Sequence, residues 1–195
     1  LVAYGISHFL RNKRSGQEGV TSVKADMSKA YDRVERNFLK AMMANMGFSH
    51  EWINLVMKCV RTMRYQIKVN GVLTDQFSPS RGLRQGDPLS PYLFVICAEG
   101  LFALLQEAER VGRITGVKIC QSAPSVSHLF FANDSMIFLK AKHEEATTLR
   151  EILDLYENCS GQCINLEKFV LMFSQNTELQ TKSTVKGALG INSEN

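Results

Sequence analysis

Apolar residues recur at helical spacing in three stretches of the chain. Phe38 to Met46 predicts a helix that ends at Gly47, because glycine readily adopts the backbone conformation that closes a helix. Ser49 is the predicted N-cap of the next helix. The apolar face predicted for that helix consists of Trp52, Leu55, Val56, Cys59, Val60 and Met63. A third helix is predicted from Pro88 to about Arg110, since proline suits the first helical turn.

Two stretches have the pattern of a β-hairpin. Asn70-Gly71 separates two apolar runs over residues 65–69 and 72–77, and this dipeptide is typical of a tight hairpin turn. The apolar run from Leu129 to Leu139 predicts two strands joined by a turn at Asn133-Asp134. That turn would place a carboxylate at a hairpin tip, where it can bind a divalent cation. Asparagine and aspartate are also ordinary turn residues, so the pattern alone leaves both interpretations open.

The remaining pattern completes an α+β fold class. It predicts helices over Ile6–Leu10 and about Glu144–Asn158, strands over Gly19–Asp26 and Val117–Cys120, strand-like structure in Gln162–Phe173, and a frayed tail from Asn192. Helices that alternate with hairpins predict an antiparallel sheet with helices on one face. The other face is expected to be open.

Composition limits the class of protein. A chain of 195 residues with 45% hydrophobic content can bury a core, and we expect one domain over residues 1–195 with its core at about 19–175. No apolar stretch is expected to be long enough to cross a bilayer, and the N-terminal pattern is not that of a secretory signal. We therefore expect an intracellular protein, in nucleus or cytoplasm, without a membrane partner.

The cysteines and the charge add little by themselves. Five scattered cysteines favour reduced thiols, and Cys159 and Cys163 lack the second pair that a zinc site needs. The net charge of +4 is mild. Basic residues cluster at Arg11, Lys13 and Arg14, at Lys58, Arg61, Arg64 and Lys68, and at Arg81 and Arg84. Such clusters are compatible with a solvated face or with nucleic-acid binding.

Three segments, taken in order, resemble the successive motifs of one enzyme family. They are residues 23–32 (VKADMSKAYD), residues 81–91 (RGLRQGDPLSP) and residues 131–135 (FANDS). The chain resembles the palm of reverse transcriptases, which are RNA-directed DNA polymerases, and most closely those of plant non-LTR (LINE-type) retrotransposons. The likeness extends from Leu1 to about Ile191. It implies a truncated polymerase palm with partial fingers, no thumb and no endonuclease, so that missing parts would come from elsewhere.

The resemblance implies a metal site and its ligands. Asp26 matches the first metal-binding aspartate, and Asp134 matches an aspartate of the hairpin tip. The family uses two Mg²⁺ ions, for which Mn²⁺ can substitute, to join dNTPs to a DNA primer on an RNA template. Asp26 and Asp134 are therefore expected to meet on adjacent strands. The alternative for Asp26 is an N-cap of the following helix.

Nucleotide contacts are implied at three further positions. Tyr31 matches an aromatic residue under the incoming sugar, where a ring would clash with a ribose 2′-hydroxyl; the alternative is a packed core aromatic. Gly86 would let the backbone approach a nucleotide, and Gln85 would offer hydrogen bonds beside it. The alternative for this pair is a simple turn before a helix.

The motif around Gln85 also implies nucleic-acid contacts. Arg81, Arg84 and Ser90 are the residues expected to make them. The family's Gln-Gly-x-x-x-Ser-Pro pattern is complete through Ser90 and Pro91.

A fourth segment, Asn165 to Lys168, resembles the motif whose lysine protonates the pyrophosphate leaving group. A cation there would offset developing charge even without proton transfer. The family usually has a small hydroxyl residue after this lysine, and this chain has Phe169. Lys168 is thus a candidate catalytic residue with one departure beside it.

Asn133 is the most consequential departure, because the family has a metal-binding aspartate at this position. An amide oxygen is neutral and lacks the second charged oxygen of a carboxylate. We expect activity to fall by roughly a thousandfold or more. Two alternatives to an impaired polymerase are a catalytically silent nucleic-acid-binding remnant and a decayed fragment that folds poorly.

Overall fold

The structure, a computed structural model, describes residues 2–28, 30–120, 122–131, 134–165 and 168–191; at 28, 131 and 134 it describes the backbone alone. The elements are α1 (Val2–Asn12), β1 (Val20–Ser28), α2 (Arg36–Asn45), α3 (His50–Arg61), β2 (Lys68–Val69), β3 (Val72–Leu73), α4 (Ser90–Arg110), β4 (His128–Phe131), β5 (Asp134–Lys140), α5 (His143–Ser160), β6 (Cys163–Ile164), β7 (Val170–Phe173) and α6 (Leu179–Ala188). The fold class is α+β, as predicted. The predicted fraying from Asn192 lies outside the described residues.

The chain forms two compact units. Residues 1–28, 101–155 and 164–195 form the sheet unit, and residues 29–100 and 156–163 form the hairpin unit. A single domain over the whole chain stays a prediction.

The sheet unit is built on β1. The strand order is β4-β5-β1-β6, and β7 also pairs with β1. β1 and β5 are antiparallel, with a register that runs from Val20 opposite Lys140 to Asp26 opposite Asp134. The predicted hairpin over residues 129–139 is confirmed as β4 and β5.

One face of this sheet is covered by α1, so the prediction of an open face is wrong over that part. Ile6 and Leu10 lie four residues apart and therefore on one side of the helix, and both are fully buried. They share a core cluster with Val20 and Phe138 of the sheet. Burial of these apolar side chains is what holds α1 there. Farther along β1, the same face carries Lys24 and Asp26, which are both partly exposed.

The other face of the sheet is fully buried at Val23 and Ile137, which lie directly opposite each other. Glu145 of helix α5 is hydrogen-bonded to the last residue of β5. Its carboxylate accepts hydrogen bonds from the backbone N–H groups of Lys140 and Thr115, both at 3.0 Å. The helix is thereby fixed at the point where β5 ends.

In the hairpin unit, the predicted end of α2 and start of α3 are confirmed. Gly47 has a φ of +83°, and the N–H of Phe48 returns to the carbonyl of Met43, which closes the helix. The Ser49 hydroxyl accepts a hydrogen bond from the N–H of Trp52 at 3.3 Å and caps α3.

The predicted apolar face of α3 is wrong by about one position. The buried residues are Ile53, Val56, Met57 and Val60, whereas Trp52 is 49% exposed. Apolar residues occur on most sides of this helix, so spacing alone could not select the buried side.

The predicted Asn70-Gly71 turn is confirmed. Asn70 and Gly71 both have positive φ, at 50° and 86°, as a type I′ turn requires. The strands on either side, β2 and β3, are short and exposed. A further bridge between Tyr65 and Phe77 extends the pairing below them.

Helix α4 begins at Ser90, two residues after the predicted start. The Asp87 carboxylate accepts a hydrogen bond from the N–H of Leu89 at 2.9 Å and forms the turn before the helix. Contrary to expectation, α4 is long and apolar enough to span a membrane by length and composition. Buried residues such as Leu93 and Leu101 are equally typical of a core helix.

In the second half of the chain, one predicted strand is absent and one helix was not predicted. Val117–Cys120 is not a strand, because only Val117 pairs, in a single bridge with Val126. The segment 162–173 contains two short strands, and α6 follows it without having been predicted. Val185 and Leu189 of α6 are fully buried, so tertiary contacts stabilise a helix whose sequence has little helical periodicity.

Candidate active site

Asp26 lies in β1 directly opposite Asp134, the first residue of β5. The expected meeting of these two positions on adjacent strands is confirmed. β1 continues to Ser28 and α2 begins only at Arg36, so Asp26 is a strand residue. The alternative that it caps the following helix is wrong.

Asp134 pairs with Phe131 and is the first residue of β5, so its predicted place within the turn is wrong. Asn133 and the side chain of Asp134 lie outside what the structure describes. Their predicted roles stay predictions.

Lys168 lies beside Asp26. The lysine Nζ is 3.0 Å from Asp26 Oδ2, and the two side chains are 64% and 28% exposed. The N–H of Asn165 donates to the Asp26 carbonyl at 3.0 Å, and the N–H of Lys168 donates to the Asn165 carbonyl at 3.1 Å. The backbone therefore fixes the segment that carries the lysine against the end of β1. Sequence reasoning placed Lys168 at the leaving group and did not foresee this ion pair.

The ligands for a metal are oxygen atoms. Mg²⁺ keeps several waters and needs only one or two carboxylates in addition to substrate oxygens. The opposed positions of Asp26 and Asp134 fit that requirement. Across the residues that the structure describes, no group of three His, Cys, Asp or Glu side chains forms a larger cluster.

In the hairpin unit, Tyr31 is a packed aromatic. Its ring stacks on Phe94 of α4 with centroids 4.8 Å apart and an interplanar angle of 16°. The Tyr31 carbonyl accepts a hydrogen bond from the N–H of Leu83 at 2.8 Å. The turn that carries Tyr31 is thus joined to the following motif loop. Its predicted contact with a sugar stays a prediction.

In this motif loop, packing requires a glycine at Gly82, and sequence reasoning missed it. Its φ is +87°, and a Cβ there would lie 2.6 Å from the carbonyl oxygen of Asp32. Its N–H donates to the carbonyl of Val34 at 2.9 Å. Gly86, by contrast, has a φ of +81° with no atom of the described residues within 4 Å of a Cβ position. Open space at Gly86 is compatible with the close approach of a ligand.

The other residues of this motif differ in exposure. Gln85 and Arg84 are exposed, and Arg81 lies 3.8 Å from Glu35 in an ion pair that solvent reaches. Ser90 is only 4% exposed, so its side chain offers little surface to a nucleic acid. Nucleic-acid contacts from these residues stay predictions.

A buried polar network supports the turn before Tyr31. The Tyr156 hydroxyl donates to the Cys97 carbonyl at 3.1 Å and also contacts Gln162, whose amide donates to the Ala30 carbonyl at 3.0 Å. Burial raises the pKa of the Tyr156 hydroxyl well above its ordinary value, and it raises the pKa of the Cys97 thiol to about 12. Both groups are therefore uncharged at physiological pH.

An antiparallel sheet in an α+β fold, with aspartates opposed on two neighbouring strands, is the arrangement expected of a polymerase palm. The family model described as reverse transcriptase (RNA-dependent DNA polymerase) matches residues 4–191. The chain belongs to the reverse transcriptase family.

Its relatives include retrotransposon proteins. It is 48% identical over 67 residues to an uncharacterized mitochondrial protein of Arabidopsis thaliana, covering 34% of this chain and 55% of the relative. It is 24% identical over 163 residues to a retrovirus-related Pol polyprotein from a type-1 R2 retrotransposable element of Popillia japonica, covering 84% and 26%. An uncharacterized 149 kDa protein of transposon TX1 from Xenopus laevis is 26% identical over 161 residues, covering 83% and 12%. The chain thus spans only part of each relative.

Solved structures show the same fold. Telomerase from Candida tropicalis, in complex with a fragment of telomeric RNA, aligns with a TM-score of 0.60 and 18% identity over 89% of this chain and 29% of that one. Telomerase from Candida albicans aligns with a TM-score of 0.64 and 13% identity over 91% of this chain and 32% of that one.

Proposed function

We propose that this chain is a polymerase domain built to join dNTPs to a DNA primer on an RNA template. The observation that carries the proposal is Asp26 directly opposite Asp134 in a chain whose residues 4–191 match the reverse transcriptase family. Partners follow from the same proposal: a template RNA, a primer and dNTPs.

Asp26 and Asp134 would hold the divalent cations that the family implies. Mg²⁺ supplies stabilisation of the charge that develops on the attacking and leaving oxygens. The chain's own task is to keep hard oxygen donors at the ends of two hydrogen-bonded strands, where the sheet limits their movement. Lys168 carries a positive charge beside Asp26, which favours a negatively charged leaving group. Tyr31 and Gln85 would orient the nucleotide.

We further propose that Asn133 impairs this activity. It removes one negative charge from the position at which the family places its most direct metal ligand. The loss of several kcal/mol of transition-state stabilisation corresponds to roughly a thousandfold or more in rate.

The test is primer extension on an RNA template with Mg²⁺ or Mn²⁺, comparing the unmodified chain with Asn133→Asp. We expect no detectable extension by the unmodified chain. Any extension should appear only in the Asn133→Asp variant, because this substitution is necessary for rescue even if it is not sufficient. Asp26→Asn in the Asn133→Asp background is the matched control and should remove any gain. Equal extension by the unmodified chain and Asn133→Asp would contradict the proposal.

A second candidate function is nucleic-acid binding without catalysis. It is favoured by Asn133 and by the pairing of Lys168 with Asp26, which leaves less negative charge at the site. Binding of a primer–template duplex that weakens steeply with salt, without extension by Asn133→Asp, would favour this function.

A further inference from the structure

A cavity in the hairpin unit combines aromatic, apolar and basic walls. It measures about 420 Å³ and lies between the stem of the β2–β3 hairpin and the loop over residues 81–85. Tyr65 and Phe77 form one side, and Arg81 and Arg84 belong to the other. The volume is within the range of sites that hold small organic ligands, roughly 300 to 1,000 Å³. A nucleotide is of suitable size.

The aromatic side is held rigidly. Tyr65 and Phe77 exchange backbone hydrogen bonds at 2.8 and 2.9 Å, and their rings stack with centroids 6.1 Å apart at an interplanar angle of 30°. The Thr74 hydroxyl accepts a hydrogen bond from the N–H of Ile67 at 3.0 Å and pins the stem above them. Phe77 is nevertheless 45% exposed. A fixed aromatic ring that remains open to solvent is a surface on which a planar base can stack.

The basic side would attract phosphate. Arg81 and Arg84 are both exposed, and within residues 30–120 no carboxylate forms an ion pair with Arg84. The Arg81 pair with Glu35 is long, at 3.8 Å, and solvated, so it is easily exchanged for a phosphate. Asp32 also lines the cavity and is the one acidic residue among the described residues around it. The Asp32 carboxylate can accept a hydrogen bond from a base amino group or a sugar hydroxyl. It would repel a phosphate placed next to it, so phosphates are expected only at the arginines.

We propose that this cavity binds one unpaired base of single-stranded RNA, with the base on Phe77 and Tyr65 and the flanking phosphates on Arg81 and Arg84. The identity of that strand as template rests on the proposed function. The sequence signal was available in Tyr65 and Phe77, which flank the Asn70-Gly71 hairpin. The sequence alone predicts both only as strand residues.

The test uses the full chain and a short oligoribonucleotide that contains one 2-aminopurine, whose fluorescence falls when it stacks. A second oligonucleotide of equal length has an abasic site at that position and keeps every phosphate. We expect quenching on binding, and on the order of tenfold weaker binding of the abasic strand. Phe77→Leu should remove both effects.

Val72→Ala is the matched control, since Val72 is exposed on the same hairpin and does not line the cavity. It should bind as the unmodified chain does. Equal affinity of the unmodified chain for the intact and abasic strands would overturn the proposal without any variant, as would unchanged quenching in a folded Phe77→Leu. Displacement of the oligonucleotide by AMP alone at similar concentration would identify a free-nucleotide site and overturn the strand assignment.

The failure of this proposal can be told apart from failure of the proposed function. If the chain binds a primer–template duplex but ignores the unpaired base, only the cavity assignment fails. If it binds neither duplex nor single strand, both fail.

Discussion

Lys168 places its ammonium group 3.0 Å from one carboxylate oxygen of Asp26. The pair joins residues 142 positions apart in the chain, and the backbone bond from Asn165 to the same residue keeps the two segments together. A divalent cation at Asp26 must share that oxygen with the lysine or displace it. The two cations therefore compete for one carboxylate.

Lys168→Gln is expected to strengthen binding of Mn²⁺, measured by the loss of the free-ion signal in electron paramagnetic resonance. The pair is largely exposed, and such pairs contribute about 0 to 1 kcal/mol, so the gain should be at most roughly fivefold. Lys182→Gln on α6 is the control for a lost surface charge. Weaker Mn²⁺ binding by Lys168→Gln would contradict the competition.

Gly82→Ala is expected to destabilise the chain by about 2 to 4 kcal/mol, because the new Cβ would collide with the Asp32 carbonyl in addition to the strain of a positive φ. Gly86→Ala has a similar φ but open space around the Cβ, so it should lose only about 1 kcal/mol. Urea unfolding of both variants gives the comparison. Equal losses would show that φ alone matters.

Tyr156→Phe removes a hydroxyl that donates to the Cys97 carbonyl and contacts Gln162. Both partners are buried, so the expected loss is about 1 to 3 kcal/mol in free energy of unfolding. Tyr92→Phe is the control, since Tyr92 is exposed on α4. A Tyr156→Phe variant as stable as Tyr92→Phe would mean that water replaces the lost contacts.

Acid should weaken the sheet unit through Glu18. Ion pairs with Lys140 and Lys142, at 2.7 and 2.5 Å, lower the pKa of the Glu18 carboxyl from 4.5 to about 2. A depressed folded-state pKa gives stability that is present above pH 4.5 and is lost as the pH falls toward 2. Because solvent reaches the pair, the effect should be only about a few tenths of a kcal/mol. Glu18→Gln should flatten the stability profile in that window, whereas Glu178→Gln should not.

The part of the site that could be predicted from sequence consists of the residues that lie in short motifs. The pairing of Asp26 with Asp134 could be expected from sequence because their motifs resemble those of the reverse transcriptase palm, in which these positions meet on adjacent strands. The ion pair of Lys168 with Asp26 could not, since it depends on how a loop after α5 returns to β1. The collision that makes Gly82 necessary is likewise a contact with a distant carbonyl.

Parts of the fold were missed for a different reason. Helix α3 has apolar residues on most sides, so Ile53 and Trp52 were equally good candidates for burial until a neighbour was present. Helix α6 is stabilised by burial of Val185 and Leu189 and has little periodicity of its own. Which side of a helix is buried depends on the elements that pack against it, and the helix's own sequence does not specify those elements.

Helix α1 covers one end of one face of the sheet, which is buried, and leaves the other end partly exposed. Val20 and Phe138 lie under the helix, whereas Lys24 lies four residues beyond Val20, about 13 Å farther along β1, and Asp26 lies two residues farther still. A bulky polyanion therefore cannot approach the carboxylate of Asp26 along this face from the end that α1 covers. Helix α1 thus restricts the direction from which a ligand can approach Asp26 along this face.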